Sequence, residues 1–195
     1  MGRRAVHDRE ALLDAAIELF ARGGAQAVTM AALARHCAAP SGSIYHRFPD
    51  RAALLAAVWL RTTERFVAEL VTVLGDTPDP ARGIEAAVWC VDWCRAHAAE
   101  AQVLHAGATA FAPEGWSAAD RHNWDSDNTA LRTLLARTAR SVARQAEIRA
   151  DEAAFAMFDL PLATVRPHLA AGRGIPESAS DLVGRLAARI LGSPA

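Results

Sequence analysis

Two neighbouring stretches of sequence decide the fold of this chain: TMAALA at residues 29–34 and PSGSIYHRFPDR at residues 40–51. In the first, Thr29 is placed to cap a two-turn helix whose apolar residues recur along one side. In the second, Ile44 and Phe48 are four residues apart and would point back at the first helix. The pattern predicts two short helices separated by a tight turn, which are the parts of a helix-turn-helix.

The sequence around this pair completes a small helical module and continues into a long helix. Asp8 is placed to cap a first helix that ends at Gly23-Gly24, and a long helix is expected from Asp50 to about Gly75. Residues 76–80 have the composition of a linker. Further helices are predicted over residues 84–97, where the helix should be central and buried, 118–146, 151–169 with a kink at Pro161, and from about 176. The predicted fold class is therefore all-α, with a three-helix helix-turn-helix module in residues 1–51 and a helical domain in residues 52–195.

The charged residues exclude several functions. All 21 basic residues are arginine, and 22 acidic residues bring the net charge to −1, so the whole molecule has no field that attracts nucleic acid or anionic lipid. The balance is nevertheless +2 in residues 1–51, which makes that module the better anion binder. The absence of lysine excludes a phosphate-binding loop and Schiff-base chemistry, and no other catalytic motif occurs. We predict that the chain is not an enzyme and has no cofactor.

The cysteines and the apolar stretches indicate where in the cell the protein is expected. The longest stretch without Arg, Asp or Glu covers residues 101–113, well short of the ~20 apolar residues that span a membrane. The N-terminus lacks the pattern of a signal peptide, and three cysteines form no disulfide framework. We expect a cytoplasmic protein. Cys90, Cys94 and His97 share a helical face and could bind a soft metal or sense oxidants, but burial as structural residues is favoured, and no metal site is predicted.

Residues 29–34 and 40–51 closely resemble the DNA-binding signature of the TetR family of transcriptional repressors. The run Ser43-Ile44-Tyr45 in the second helix carries the resemblance, and Arg51 stands where the family has a lysine. Two positions depart from the family's pattern. Ala38 occupies the turn position where glycine is usual, and Pro40 occupies the position where a serine often caps the helix, so that Ser41 is expected to cap it instead.

The resemblance implies a ligand-responsive regulator, most simply a repressor that binds a palindromic DNA operator as a homodimer and is released by a small molecule. The residues have matching chemistry. Thr29 lies beside free amides at a helix N-terminus, Gly42 allows a close approach of the backbone, and Arg47 matches a guanine edge. Alternatively, Thr29 is only a helix cap, Tyr45 a core aromatic and Arg47 a solvated side chain. The predicted DNA-binding residues are Thr29, Ser41, Gly42, Ser43, Tyr45, His46, Arg47 and Arg51, with Arg3 and Arg4 in an arm that enters a groove.

A dimer is expected because a single helix-turn-helix buries limited surface, whereas two-fold dimers hold two recognition helices ~34 Å apart. The last helix carries a continuous apolar stripe, and the resemblance implies that it forms a four-helix interface together with the helix before it. Packing of the stripe within its own subunit is the alternative. The predicted dimer interface is Met157, Leu160, Thr164, Leu182, Val183, Leu186 and Ile190.

The C-terminal helices are predicted to hold an effector. Most of the large rings lie outside residues 1–51, and rings among alanines tend to line cavities; in the TetR family these helices enclose a small-molecule pocket. We expect a mostly apolar or aromatic ligand. Asp92 could bind a cationic ligand, but a pair with an arginine such as Arg95 is favoured. The predicted ligand-binding residues are Phe66, Trp89, Asp92, Trp93, His97, His105, Phe155 and Phe158. For each ring simple core packing remains open, and the alternative function is a helical small-molecule-binding protein or enzyme without DNA binding.

Overall fold

The computed structural model describes residues 8–192, and every regular element in that range is helical. The helices are α1 Arg9–Ala27, α2 Met30–His36, α3 Ser41–Tyr45, α4 Arg51–Leu74, α5 Pro80–Ala96, α6 Ala98–Ala106, α7 Ala118–Ala146, α8 Ala150–Ala154, α9 Leu160–Ala170 and α10 Ser178–Leu191. Two 3-10 turns, Ala108–Phe111 and Pro113–Gly115, follow α6. The all-α prediction is confirmed, although α6 was not anticipated. The predicted arm with Arg3 and Arg4 lies outside the described residues.

Local signals in the sequence set the ends of the first helices. The carboxylate of Asp8 accepts a hydrogen bond from the backbone N–H of Ala11 at 2.8 Å and so caps α1. The helix is interrupted at Gly23 and Gly24, where Gly24 has a left-handed φ of 65°. Gly75 ends α4 in the same way, with a φ of 64°. The start of α1 and the end of α4 lie where the sequence predicts them, whereas Gly23 and Gly24 break α1 and the helix continues to Ala27.

The turn between α2 and α3 contains an alanine in a backbone conformation that favours glycine. Ala38 has a φ of 49°. The turn is closed by a hydrogen bond of 2.9 Å from the N–H of Ala39 to the carbonyl of Ala34. A side chain in the left-handed region costs about 1–2 kcal/mol. This chain thus has alanine in the turn where the family that it resembles has glycine, and the left-handed conformation of this alanine lowers the stability of the fold.

Ala38→Gly is therefore expected to raise the free energy of unfolding by about 0.5–1 kcal/mol. Glycine removes the energetic cost of the left-handed conformation in the folded state. It also increases the conformational entropy of the unfolded chain, which offsets part of the gain in stability. Urea denaturation followed by circular dichroism measures the change. The matched control is Ala136→Gly, an exposed position in the interior of α7, where the same replacement should lower the free energy of unfolding by about 0.5–1 kcal/mol. A loss of stability in both variants would contradict the prediction.

The described residues form two compact units that do not divide at the predicted boundary of residues 51 and 52. The first unit consists of the chain up to Glu64 together with Gln102–Trp124, and the second consists of Arg65–Ala101 and the chain from Asp125 onwards. Helices α4, α6 and α7 contribute residues to both units. The first unit is thus larger than a helix-turn-helix, because a second segment of the chain belongs to it.

Aromatic rings hold that second segment in the first unit. Phe111 is fully buried, and its ring stacks on Phe20 of α1 with 4.7 Å between the centroids and lies 5.5 Å from the ring of Trp59. Trp116 is buried as well, and its Nε1 donates a hydrogen bond to the carbonyl of Phe111 at 2.8 Å. Phe111 and Trp116 are therefore core residues of the first unit.

Helix α5 is the central helix of the second unit, as the sequence predicts, and it packs against both α9 and α10. Gly83 allows a close approach, because a Cβ added there would lie 3.0 Å from Cδ1 of Leu191 and 3.4 Å from Cγ of Met157. The core around these contacts consists of Leu70, Leu74, Ala86, Ala139, Val142, Ala143, Ala153, Ala156, Met157 and Leu191. Among residues 8–192, no helix combines the length and the apolar composition that crossing a membrane requires.

The irregularity predicted at Pro161 is a π-helical turn, Phe155–Asp159, which directly precedes α9. The N–H of Leu160 donates to the carbonyl of Phe155, one residue further back than in an α-helix. Proline has no N–H and its ring crowds the preceding turn, so a change of hydrogen-bond register just before it accommodates Pro161 within an otherwise continuous helical segment.

Candidate functional site

Helix α3 is anchored from beneath by apolar residues and is polar on its outer side. Ile44 is fully buried and Phe48, just beyond the helix, is buried too. Tyr45 is 53% exposed, and Gly42 and His46 are also exposed. A hydroxyl, an imidazole and an open stretch of backbone are thus presented together to the surroundings. The alternative that Tyr45 is a core aromatic is wrong.

The hydroxyl groups at the starts of α2 and α3 have local partners. Thr29 is the cap of α2, since its Oγ1 accepts a hydrogen bond from the N–H of Ala32 at 3.0 Å. Pro40 occupies the cap position of α3 without a side-chain bond, so the expectation that Ser41 caps this helix is wrong, and Ser41 is its first residue. Ser43 donates from Oγ to the carbonyl of Pro40 at 2.9 Å. A capping hydroxyl still carries a proton that a phosphate oxygen can accept.

The two arginines predicted to contact DNA also bond to the backbone of their own module. Arg47 is half-buried and donates from Nη1 to the carbonyl of Ser43 at 3.1 Å. Arg51 donates from Nε to the carbonyl of Val28 at 2.8 Å and from Nη2 to the carbonyl of Ala25. Arg51 therefore ties the start of α4 to the end of α1, a role that the sequence did not indicate. Its Nη1 takes no part in these two bonds.

The segment that contains these residues matches a known family. The model for bacterial regulatory proteins of the tetR family matches residues 12–58, which cover α1, α2, α3 and the start of α4. The N-terminal segment of this chain is a TetR-family helix-turn-helix. Its sequence is 37% identical over 60 residues to the regulator UidR of Escherichia coli K12. The match covers 31% of this chain and 31% of UidR, so it spans about a third of the length of this relative.

Solved structures extend the likeness in fold to the rest of the chain. A TetR-like transcriptional regulator from Rhodococcus sp. RHA1 is 22% identical, covers 100% of both chains and has a TM-score of 0.68. The regulator FadR of Bacillus subtilis in complex with stearoyl-CoA is 12% identical, with 96% of this chain and 100% of FadR covered and a TM-score of 0.71. The ketosteroid regulator KstR2 of Mycobacterium tuberculosis is 18% identical over 97% of both chains, with a TM-score of 0.69. At these identities the comparison establishes the TetR-type fold.

The residues predicted for a TetR-type dimer interface fall into two groups. Leu182 is 41% exposed, and Leu160, Thr164, Leu186 and Ile190 are half-buried. Met157 and Val183, by contrast, are buried in the core of their own subunit, where Met157 packs beside Gly83. These two residues cannot contact a second subunit unless the core repacks, so their assignment is corrected. The structure also exposes Phe155 and Leu162, and Leu162 was not on the predicted face.

Four of the predicted effector contacts come together in the second unit of the TetR-type fold. The ring of Phe66 lies 5.2 Å from Trp89 and 4.9 Å from Trp93, and the ring of His97 lies 4.9 Å from Trp93. Phe158 packs against the core of the same unit. Of the other three, Phe155 is 48% exposed at the surface, His105 is exposed in the first unit, and Asp92 is paired with an arginine.

Asp92 forms the predicted pair with arginine. Its Oδ1 accepts hydrogen bonds from Nη2 of Arg95 at 2.6 Å and from Oγ of Ser180 at 2.5 Å. Arg95 also donates from Nη1 to Oγ of Ser180 at 3.0 Å. The pair therefore links α5 to α10, and Oδ1 of Asp92 is bonded to two partners of its own unit.

Cys90 and Cys94 are buried side by side on α5. The hydrogen bond between their thiols, together with burial, holds the pKa of Cys90 well above its usual range. His97 turns to other partners, with its Nδ1 3.3 Å from Oε2 of Glu100. Among residues 8–192, no group of three or more His, Cys, Asp or Glu side chains is arranged to hold a metal ion.

The thiols should differ sharply in reactivity. In the folded protein we expect Ellman's reagent to modify Cys37 alone, because Cys37 is half-buried whereas Cys90 and Cys94 are buried. Burial and the charge of Glu18 raise the pKa of Cys37, so its thiolate fraction at pH 8 is below that of an ordinary cysteine and its rate should keep rising above pH ~8.5. All three thiols should react in guanidinium. Rapid modification of more than one thiol in the folded protein would disagree with the structure.

Proposed function

We propose that this protein is a transcriptional regulator that binds a palindromic operator as a homodimer and is released from it by a small-molecule effector. The observation that carries the proposal is the outer side of α3, where Tyr45, His46 and Gly42 are exposed above the buried Ile44. A short helix that is anchored by one apolar residue and polar outside is suited to the major groove of DNA. The match of residues 12–58 to the tetR family supports the same role.

The free dimer is proposed to occupy the operator and to repress transcription. An effector controls binding only if it has unequal affinity for the DNA-binding conformer and for a conformer with wrongly spaced recognition helices. FadR, which shares the fold, is complexed with stearoyl-CoA, and KstR2 is a ketosteroid regulator. A largely apolar effector for this chain agrees with the rings of Phe66, Trp89 and Trp93.

The dimer is proposed to form through α10 and the segment that precedes it. Phe155, Leu162 and Leu182 are large apolar side chains that remain exposed in the single subunit. A contiguous exposed apolar patch is typical of a contact with another protein, and we propose that these three side chains contribute to one. The alternative of a helical ligand-binding protein or enzyme without DNA binding gives no reason for the outward polar groups of α3.

Selection from a pool of random-sequence DNA duplexes tests the proposal. Several rounds of capture by the purified full-length protein should enrich one palindromic sequence, and a gel-shift assay should then show its retention. Tyr45→Ala should weaken retention at least about tenfold, since it removes an exposed ring and hydroxyl from α3. The matched control is Val71→Ala, which truncates an exposed side chain of α4 in the second unit. The proposal fails if no palindrome is enriched or if both variants retain the DNA equally well.

A further inference from the structure

Trp93 carries a hydrogen-bond donor without an acceptor. Its side chain is 3% exposed, and its Nε1 is buried with no hydrogen-bond partner among the residues that the structure describes. A buried donor without a partner is costly, and native proteins rarely keep one without a reason. Trp116 is buried to the same extent and shows the usual solution, because its Nε1 donates to the carbonyl of Phe111 at 2.8 Å. Trp93 thus lacks an acceptor that a bound molecule can supply.

The rings around this donor form an aromatic cluster, which we define as Phe66, Trp89, Trp93 and His97. Phe66 meets Trp93 edge to face at 81°, and Trp89 lies 6.4 Å from Trp93. Phe66, Trp89 and His97 are only half-buried, so the aromatic cluster extends from the buried indole to the surface of the second unit. Such a surface favours a ring compound, which can stack or meet these rings edge to face.

The charges beside His97 disfavour an anion. Arg65 donates from Nε to Glu69 at 3.0 Å and from Nη1 to the two oxygens of Glu100 at 2.9 and 3.1 Å. Its Nη2 lies 3.5 Å from Nδ1 of His97. One guanidinium thus faces two carboxylates. A carboxylate ligand placed here would meet these two like charges while losing its hydration.

We infer that the effector of the proposed regulator is an uncharged ring compound whose ketone, ester or amide oxygen accepts a hydrogen bond from Nε1 of Trp93. A neutral oxygen supplies the missing acceptor, and the ring packs on Phe66 and Trp89. An ammonium group would suit the acidic surroundings and the ring faces, but it has no lone pair to offer the indole N–H. The inference rests on the proposed function only in calling this molecule an effector.

Four naphthalene probes that differ in one substituent test this chemistry on the full-length protein. They are 2-acetylnaphthalene, 2-ethylnaphthalene, 2-naphthoate and the 2-naphthyltrimethylammonium ion, and calorimetry measures their binding. The ketone should bind about tenfold more tightly than the ethyl compound, because only the ketone pairs with the buried N–H. It should also bind more tightly than the carboxylate and the ammonium ion. Absence of binding by all four probes, equal binding of the ketone and the ethyl compound, or tightest binding of either ion would overturn the inference.

The variant Trp93→Phe tests whether the preference for the ketone over the ethyl compound depends on Nε1 of Trp93. Phenylalanine keeps a ring and removes the N–H, so the ketone and the ethyl compound should bind with equal affinity to this variant. In Trp116→Phe, the matched control in the first unit, the tenfold preference for the ketone should remain. A preference that survives in Trp93→Phe would contradict the inference.

Thermal melts without ligand provide an independent measurement. Trp116→Phe breaks a hydrogen bond, whereas Trp93→Phe removes an N–H that makes no hydrogen bond. Both variants should melt at a lower temperature than the parent protein, but the decrease should be about 2–4 °C smaller in Trp93→Phe. Equal losses would show that Nε1 of Trp93 has a partner in solution, and the inference would fail.

Gel shifts on the selected operator separate this inference from the proposed function. Specific retention of DNA combined with no discrimination between the ketone and the ethyl compound would refute only the ligand chemistry. The expected discrimination combined with no retained DNA would support the site at Trp93 and refute the regulator.

Discussion

Gly42→Asp is expected to weaken operator binding at least about hundredfold without destabilising the protein. Gly42 lies in the first turn of α3, and a side chain added there meets no atom within 4 Å, so the fold has room for it. A carboxylate in the first turn of a helix is favoured by the free backbone amides. Against DNA the same carboxylate faces phosphate oxygens, and like charges brought together cost several kcal/mol. Because a dimer carries two copies, a tenfold loss in each half-site multiplies to about a hundredfold.

Fluorescence anisotropy with the selected operator measures this effect, at a single salt concentration near ~0.1 M because affinity for DNA depends strongly on salt. The control is Ser178→Asp, which adds the same charge to the first turn of α10 in the second unit and should change affinity less than about threefold, since distant charges are screened. Gly42→Ala adds only a methyl group, so a loss of affinity in that variant would reveal close backbone approach. Unchanged affinity in Gly42→Asp would mean that α3 does not face the DNA.

The sequence predicts the helix ends well because the interactions that set them are local. Asp8 bonds to an amide three residues ahead. Asp79 caps α5 in the same manner through the N–H of Arg82, although residues 76–80 have the composition of a linker and the spacing predicts this helix only from residue 84. Gly24 and Gly75 adopt left-handed conformations where each helical run stops. A reader of the sequence sees both the residue and its partner within one helical turn. Most of the helical segments, α6 excepted, could therefore be placed without coordinates.

Contacts between distant parts of the chain could not be predicted in this way. Arg51 is predicted to contact DNA, and nothing in its sequence neighbourhood indicates that its Nε bonds to the carbonyl of Val28. Phe111 lies far outside residues 1–51 in the sequence, yet its ring stacks on that of Phe20 in the first unit. Such contacts depend on how whole helices pack against one another, and the local pattern of a single sequence does not specify that packing.

The apolar stripe of α10 shows the same limit at the level of one helix. Helical spacing correctly groups Leu182, Val183, Leu186 and Ile190. A stripe of this width can have one edge in the core of its own subunit and the other edge at the surface. The structure turns Val183 into the subunit's own core and leaves Leu182 41% exposed. Close packing against α5, where a Cβ on Gly184 would lie 3.2 Å from Cγ2 of Val88, decides which side is buried. The periodicity alone was unable to separate the core from the surface.

Leu182→Glu is expected to raise the dissociation constant of the proposed dimer at least about hundredfold and to weaken operator binding with it. An exposed leucine can be replaced by a charge with little effect on the single subunit, and surface changes of this kind usually alter stability by about 0.5 kcal/mol or less. At a two-fold interface the change acts in both subunits, where it removes apolar contact and buries unpaired carboxylates. Sedimentation equilibrium measures the dimer, and the gel shift measures its consequence for DNA.

Two further variants separate an interface effect from a folding effect. Val71→Glu places the same charge at an exposed apolar position of α4, outside the predicted face, and should leave the dimer intact. Met157→Ala removes a side chain that is 1% exposed and should lower the free energy of unfolding by about 2–4 kcal/mol. If Leu182→Glu remains a dimer, or if it loses as much stability as Met157→Ala, the exposed leucine does not mark the subunit contact. The two recognition helices would then have to be held together by another surface.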